Sequence, residues 1–158
     1  MTQLYFLRHG VADWPNWEHE RDAERPLTDG GMEKMKAEAR AMARLGLKLD
    51  ALVSSPLTRA YQTAEAIAKR LDLEVTEDPL LAPGFDVTRL RELLRRYPDA
   101  QALMLVGHEP DFSQTISELI GGGRVVMKKG GLARVDLQAT DPPSGELVWL
   151  LAPKTLGA

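Results

Sequence analysis

The sequence contains no cysteine and no long apolar run. The lack of cysteine excludes thiol catalysis, disulfides and metal sites built from thiolates. Because no apolar segment approaches the length of a membrane span, and no charged leader precedes an apolar stretch, we expect a cytoplasmic protein that does not enter membranes. The net charge of −3 provides no excess of positive charge, which argues against general binding of nucleic acids or anionic membranes.

The remaining composition is that of an ordinary globular protein. Hydrophobic residues make up 44% and charged residues 27% of the 158 positions, and a chain of this length can bury a substantial core. We therefore expect a single domain over residues 1–158. The sequence does not determine the oligomeric state, although the lack of an evident exposed apolar stripe is compatible with a monomer.

Short apolar segments alternate with segments of helical periodicity along most of the chain. The polar residues 11–26 interrupt this alternation and are expected to form a loop over the strand ends. The pattern predicts an α/β protein, a three-layer α/β/α sandwich with a mostly parallel central sheet. The predicted strands are residues 3–7, 52–53, 73–76, 102–107, 132–137 and 147–151, with a turn at residues 141–145 between the last two. The predicted helices are residues 28–46 (capped by Thr28), 56–71 (capped by Ser54 or Ser55), 87–96 and 110–120.

Three of the predicted strands end in turns that carry charged or hydroxylated residues. These turns contain Arg8 and His9, then Ser54 to Arg59, then His108. Because ligands of open α/β sheets bind at the carboxyl ends of the strands, we expect Arg8, His9, Arg59 and His108 to converge on one crevice. Arginine forks match phosphate oxygens, which suggests a phosphorylated substrate. The nearby cations should also disfavour protonation of His9.

Three motifs in order carry a family resemblance: Leu-Arg-His-Gly at 7–10, Ser-Ser-Pro-Leu-Thr-Arg-Ala-Tyr-Gln-Thr-Ala at 54–64 and Val-Gly-His at 106–108. Together they resemble the histidine phosphatase superfamily, whose fold is phosphoglycerate mutase-like. The short chain and the segment Arg-Pro-Leu-Thr-Asp-Gly at 25–30 resemble its compact branch, the SixA-type phosphohistidine phosphatases. The resemblance implies that His9 is the nucleophile, that Arg8, Arg59 and His108 bind the phosphoryl group, and that no metal or other cofactor is needed.

Three further residues are candidates for substrate binding. Arg25, in the segment Asp22-Ala23-Glu24-Arg25-Pro26, either pairs with a carboxylate of this segment or lines the pocket. Thr58 either offers its hydroxyl to the phosphate or satisfies backbone at the start of a helix. Lys129 either belongs to a solvated turn or reaches the pocket. His19 lies in a charged run and is expected to be exposed.

The chain departs from the family pattern in the loop after the third predicted strand. Many relatives carry a glutamate there as the general acid, whereas this chain aligns Pro83 with that position, and Asp86 and Glu109 are the possible substitutes. The missing acid favours phosphohistidine in a partner protein as the substrate, because an imidazole leaving group departs readily once solvent protonates it.

Other functions remain open at this point. A phosphatase for a small phosphorylated metabolite would use Asp86 or Glu109 as the acid. A module that holds a phosphorylated protein without turnover would not need the nucleophile His9. Metal binding by His9 and His108 is disfavoured because the neighbouring arginines repel a cation and no third ligand is evident.

Overall fold

A mixed sheet of six strands forms the centre of the molecule. The computed structural model describes residues 2–17 and 19–157, apart from the side chains of residues 19 and 20, so the exposure expected for His19 lies outside the described part. The strands are β1 Gln3–Arg8, β2 Ala51–Ser54, β3 Val75–Glu77, β4 Ala102–Gly107, β5 Leu132–Thr140 and β6 Pro143–Leu151. They lie in the order β3-β2-β4-β1-β5-β6.

Strands β3, β2, β4 and β1 are parallel, whereas β5 and β6 complete the sheet as an antiparallel hairpin. The two central strands, β1 and β4, are covered on both faces, which explains why their sequences are continuous apolar runs rather than alternating ones. The sequence predicted β4 with its observed bounds and β1 to within one residue.

Four helices cover the two faces of the sheet: α1 Asp29–Arg44, α2 Thr58–Leu71, α3 Val87–Leu94 and α4 Asp111–Leu119. Tyr5 and Leu7 of β1 pack into one apolar cluster with α1 and α2, and the alternate residues Leu4 and Phe6 pack into a second cluster with α3 and α4. The three-layer α/β/α arrangement with a mostly parallel sheet is therefore confirmed. No helix within the described ranges is long and apolar enough to cross a membrane.

The start of α1 follows the sequence prediction. Thr28 has an extended backbone and its hydroxyl accepts a hydrogen bond from the Gly31 amide at 3.0 Å. This bond satisfies one of the amides that a helix leaves unpaired at its first turn. The Thr28 amide also donates to the carbonyl of Val11 at 2.9 Å, which ties the loop after β1 to the helix.

The predicted start of α2 was wrong by two residues. Pro56 lies outside the helix, Leu57 is the N-cap, and no side chain caps the first turn. The sequence predicted Ser54 or Ser55 as the cap, but the Ser55 hydroxyl accepts from the Leu57 amide at 3.2 Å before the helix begins. The turn therefore leaves Ser55 beside the sheet edge, where its hydroxyl contacts the side chain of His108.

Strand β3, the hairpin and the loop at residues 11–26 also differ from the sequence prediction. Strand β3 begins at Val75 rather than at residue 73, because the chain first leaves α2 through Asp72 in a left-handed conformation. The hairpin strands β5 and β6 extend to Thr140 and from Pro143, so the turn is shorter than the one predicted at residues 141–145. The loop at residues 11–26 contains a 3₁₀ segment, His19–Glu24, that the sequence did not suggest.

Candidate active site

The sheet topology places His9 and His108 side by side. Strands β1 and β4 are parallel neighbours, and Arg8 pairs with Gly107 at the ends of the two strands. His9 and His108 are the next residues along each chain segment, and their ring centroids are 5.3 Å apart. Both side chains are buried, with 8% and 5% of their surfaces exposed. The structure therefore brings together two imidazoles that are 99 positions apart in the sequence.

Backbone contacts on several sides hold the segment around His9. The His9 amide donates to the carbonyl of Gly107 at 3.1 Å, and the Gly130 amide donates to the carbonyls of Arg8 and His9, each at 3.1 Å. The Gly10 amide donates to the hydroxyl of Thr63 on α2 at 3.1 Å. A Cβ atom on Gly10 would lie 2.8 Å from Cγ of Met35, so any larger residue would have to displace the Met35 side chain of α1. These contacts fix the position of the imidazole.

A hydrogen bond to the backbone sets the tautomer of His9. Nδ1 of His9 lies 2.7 Å from the carbonyl oxygen of Gly10. A carbonyl oxygen can only accept, so Nδ1 must carry the proton and donate it. The neutral ring then has its lone pair on Nε2, and Nε2 is the atom available as a nucleophile.

The surroundings of His9 keep the ring neutral. The pKa of His9 is lowered from 6.5 to about 4, mainly by burial and also by the charges of Arg59, Arg8 and Arg25, against the raising effect of the Gly10 hydrogen bond. The sequence suggested the effect of the cations but not that burial would contribute more. At neutral pH the nucleophilic form of His9 is therefore the populated one.

His108 is held by a serine. Its Nε2 lies 2.7 Å from the hydroxyl oxygen of Ser55, which also accepts from the Leu57 amide. When the Ser55 hydroxyl donates its proton to Nε2, the ring proton of neutral His108 sits on Nδ1. The pKa of His108 is lowered to about 3, mainly by burial and also by the positive charges of the site, whereas the carboxylate of Asp22 acts to raise it.

Arg8 and Arg59 each have one buried donor without a protein partner. Arg8 donates from Nη1 to the carbonyl of Met127 at 2.9 Å, and Arg59 donates from Nη1 and Nη2 to the carbonyl and Oδ2 of Asp22 at 2.9 and 3.1 Å. The Nε atoms of both arginines are buried and unpaired. A buried unpaired donor is costly, and an oxyanion between the arginines would satisfy it.

Asp22 links Arg59 to Arg25. Its Oδ1 accepts from Nε of Arg25 at 3.1 Å while its Oδ2 accepts from Arg59. Burial tends to raise the pKa of Asp22, but the two arginines outweigh it and the net pKa is lowered, so the carboxylate is ionised. Arg25 also donates to the carbonyl of Ala12 and lowers the pKa of His9. Arg25 thus forms the local ion pair that was one of the two alternatives, and its role in lining the pocket stays a prediction.

The other two binding candidates lie at the edge of the site. Thr58 is the first residue of α2 and is half-buried. Lys129 forms an ion pair with Asp13 and, together with Gly10, lines a cavity next to the nucleophile segment. Binding of the substrate by Thr58 and Lys129 therefore stays a prediction.

The carboxylates considered as general acids are engaged in local structure. Asp86 caps α3 by accepting from the Arg89 amide at 2.9 Å. Glu109 accepts from both the amide and the hydroxyl of Ser113 in the first turns of α4. Pro83, at the aligned position of the acid, is exposed in the turn before α3. Among residues 2–17 and 19–157, no group of three or more histidine, aspartate or glutamate side chains could hold a metal ion.

Sequence reasoning missed two residues of the site. Asp22 was considered only as one of several possible partners of Arg25, and its contact with Arg59 joins residues 37 positions apart. For Ser55 the sequence predicts only a possible helix cap, shared with Ser54, because serine before a proline commonly has that role. The double serine at the end of a buried strand was the available signal, since a buried hydroxyl needs a partner.

A buried, neutral imidazole beside a second imidazole and two arginines, at the carboxyl edge of a mostly parallel sheet, is an arrangement that suits an anionic ligand such as a phosphoryl group. A family model described as the histidine phosphatase superfamily, branch 1, matches residues 4–83, a range that contains Arg8, His9 and Arg59 but not His108. The chain belongs to this superfamily, and it is a phosphatase-type hydrolase.

Full-length similarity extends to the compact SixA-type branch. The chain is 33% identical to an uncharacterised protein of Picosynechococcus sp., over 98% of both chains. It is 25% identical to the phosphohistidine phosphatase SixA of Escherichia coli, over 98% of this chain and 96% of the relative. A solved structure of the protein histidine phosphatase SixA complexed with tungstate superposes with a TM-score of 0.86 at 24% identity, covering 98% of this chain and 99% of that one.

Proposed function

We propose that the protein is a metal-independent phosphohistidine phosphatase that acts on a phosphorylated partner protein through a phosphohistidine intermediate on His9. The observation that carries this proposal is the pair of buried, unpaired Nε donors of Arg8 and Arg59 beside His9 and His108. The donors supply the charge and hydrogen bonds that a phosphoryl group requires in its transition state. The tungstate bound in a SixA structure of the same fold supports a tetrahedral oxyanion as the ligand.

The reaction begins with attack by His9. Nε2 of His9 bonds to phosphorus as the bond from phosphorus to the substrate imidazole nitrogen breaks, and the departing imidazole takes a proton from solvent. Water then attacks phosphorus, the bond to Nε2 breaks, and inorganic phosphate leaves while the extra proton passes to solvent. The bound phosphoryl dianion raises the pKa of His108, which then donates to an equatorial oxygen.

The engaged carboxylates support phosphohistidine over alcohol phosphates as the substrate. An alkoxide leaving group needs a proton from a positioned acid, and Asp86 and Glu109 already accept structural hydrogen bonds. Asp22 is ionised between two arginines and holds no proton to give at neutral pH. An imidazole leaving group removes the need for such an acid, which fits this set of residues.

The decisive experiment follows phosphate release and the phosphoenzyme together. The full chain is incubated with a peptide that carries a single ³²P-labelled phosphohistidine, with and without EDTA, beside phosphoserine and sugar phosphates. We expect rapid release of phosphate from the peptide, no effect of EDTA, and a transient acid-labile, alkali-stable label on the protein. The variant His9→Asn should form no labelled protein and release no phosphate, while retaining the urea-unfolding midpoint of the parent.

The carboxylate variants separate the proposal from the metabolite alternative. Asp86→Asn and Glu109→Gln should hydrolyse the phosphohistidine peptide at rates close to that of the parent, because neither group is used as an acid. Faster hydrolysis of an alcohol phosphate than of the peptide, lost in one of these variants, would overturn the proposed substrate. Binding of the peptide with its ³²P label intact, without any release of phosphate, would instead indicate a binding module.

A further inference from the structure

A cavity of about 390 Å³ lies beside the nucleophile segment. Gly10, the residue after His9, lines it on one side, and Met35 of α1 and Pro153 form part of its apolar floor. A volume of this size exceeds what one inorganic anion needs and is typical of sites that hold an organic side chain or small molecule. The cavity therefore lies next to the active site, and none of the residues proposed for phosphoryl transfer lines it.

Four of the seven lysines in the chain line this cavity. They come from three separate segments: Lys34 from α1, Lys128 and Lys129 from the loop before β5, and Lys154 from the residues after β6. Lys129 pairs with Asp13, whereas Lys34, Lys128 and Lys154 form no ion pair within the described residues. A protein with a net charge of −3 thus concentrates unpaired ammonium groups at one place.

The cavity is also lined by Glu38 of α1, which is only 1% exposed. Its Oε2 atom has no hydrogen-bond partner. Burial raises the pKa of Glu38 to about 8, so the group is a neutral carboxylic acid at pH 7. A neutral carboxylic acid has a proton to donate, and an unpaired buried donor points to a ligand that accepts.

We infer that this cavity binds an acidic segment of the partner protein, with a glutamate or aspartate side chain inserted between Lys34, Lys128, Lys154 and Glu38. This inference rests on the proposed function, since it names the chemistry of the same partner next to its phosphohistidine. The methylene groups of a glutamate contact the apolar floor, its carboxylate faces the lysines, and the proton of Glu38 satisfies one carboxylate oxygen.

An acidic protein segment fits the arrangement better than a free anion. The cavity adjoins Gly10, so a chain that presents its phosphohistidine to His9 passes the cavity within a few residues. The lysines come from three separate segments of the chain, so the cavity can pair with more than one carboxylate of an extended acidic chain. The local positive charge also offsets the repulsion that an acidic partner meets from a protein of net negative charge.

The test compares two variants with the same change in net charge. The cavity variant is Lys34→Gln/Lys128→Gln/Lys154→Gln. The control variant is Lys36→Gln/Lys48→Gln/Lys69→Gln, which removes the three lysines that do not line the cavity. Binding of fluorescein-labelled hexaglutamate is followed by fluorescence polarisation at low salt. Hydrolysis is measured with p-nitrophenyl phosphate and with two phosphohistidine peptides that are flanked by glutamates or by glutamines.

We expect hexaglutamate to bind the parent and the control variant equally and the cavity variant about tenfold more weakly, since three partly screened ion pairs are lost. The parent should prefer the glutamate-flanked peptide over the glutamine-flanked one by about tenfold in kcat/KM, and the cavity variant should lose this preference. Hydrolysis of p-nitrophenyl phosphate should be the same in all three proteins, because the small substrate does not reach the cavity.

The outcomes separate this inference from the proposed function. Equal loss of hexaglutamate binding in the two variants, or equal hydrolysis of the two peptides by the parent, overturns the inference and leaves the proposed reaction intact. Selective loss of hexaglutamate binding in the cavity variant supports the inference, even if neither phosphohistidine peptide is hydrolysed. A failure to hydrolyse either peptide would overturn the proposed substrate. The variant Glu38→Gln keeps a donor at the same place and should retain binding.

Discussion

Replacing Glu38 by glutamine should change how the stability of the protein depends on pH. In the folded protein burial raises the pKa of Glu38 to about 8, against 4.5 for the free group. The folded state therefore holds a proton that the unfolded state releases between these two values. The free energy of unfolding is thus highest below pH 4.5, falls as the pH rises towards 8, and then levels off. Glutamine cannot ionise, so the free energy of unfolding of the variant does not show this fall between pH 4.5 and about 8.

The size of the effect follows from the distance between the two pKa values. At about 1.36 kcal/mol per pH unit, the interval from 4.5 to about 8 corresponds to roughly 5 kcal/mol. This is an upper limit, because relaxation of the protein and penetration of water reduce the cost of burying an ionised group. Even half of it is a large share of the stability of an ordinary domain, which is about 5–15 kcal/mol.

Urea unfolding over a series of pH values measures this difference. The parent and Glu38→Gln should have nearly equal free energies of unfolding at pH 4.5 and diverge steadily up to about pH 8, with the variant the more stable. Contributions of His9, His108 and other groups cancel in the comparison. Glu33→Gln is the control on the same helix, since the Glu33 side chain is 73% exposed and its replacement should give a flat difference. A flat difference for Glu38→Gln would refute the reasoning.

Three further predictions concern the site itself. The ¹⁵N chemical shifts of His9 should indicate a neutral ring protonated on Nδ1 that does not titrate between about pH 5 and 8, because its pKa is lowered to about 4; a midpoint near 6.5 would contradict this. Arg59→Gln should lower kcat for p-nitrophenyl phosphate by about 10²–10³, equivalent to ~2.7–4 kcal/mol, and a loss below tenfold would exclude a role in charge stabilisation. Asp22→Asn keeps an acceptor for Arg59 but removes a negative charge, so titration calorimetry should record tungstate binding up to about fivefold tighter; weaker binding would mean that Asp22 mainly holds the arginine in place.

The central strands were predictable because their environment is simple. β1 and β4 are buried on both faces, and a continuous apolar run followed by a histidine has few other interpretations. The parallel pairing of these strands then brings His9 and His108 together without further information. The fold and the centre of the candidate site follow from these two segments.

The remaining contacts depend on how the loops fold over the sheet. Asp22 meets Arg59 only because residues 19–24 form a 3₁₀ segment above the start of α2. Lys34, Lys128 and Lys154 come from three segments that are distant in sequence, and no local sequence pattern predicts that these segments meet. Glu38 occupies the helical position three residues after buried Met35, yet a glutamate in a charged helix is normally read as exposed.

The pairing of β1 with β4 also makes the protein a candidate for division into complementing fragments. A cut after Asp99, in the exposed turn between α3 and β4, would leave Arg8, His9 and Arg59 on one fragment and His108 on the other. Neither fragment would hold both imidazoles, so phosphatase activity would report their reassociation. The same central hydrogen-bonded strand pair that builds the site would then serve as the contact through which the halves recognise each other.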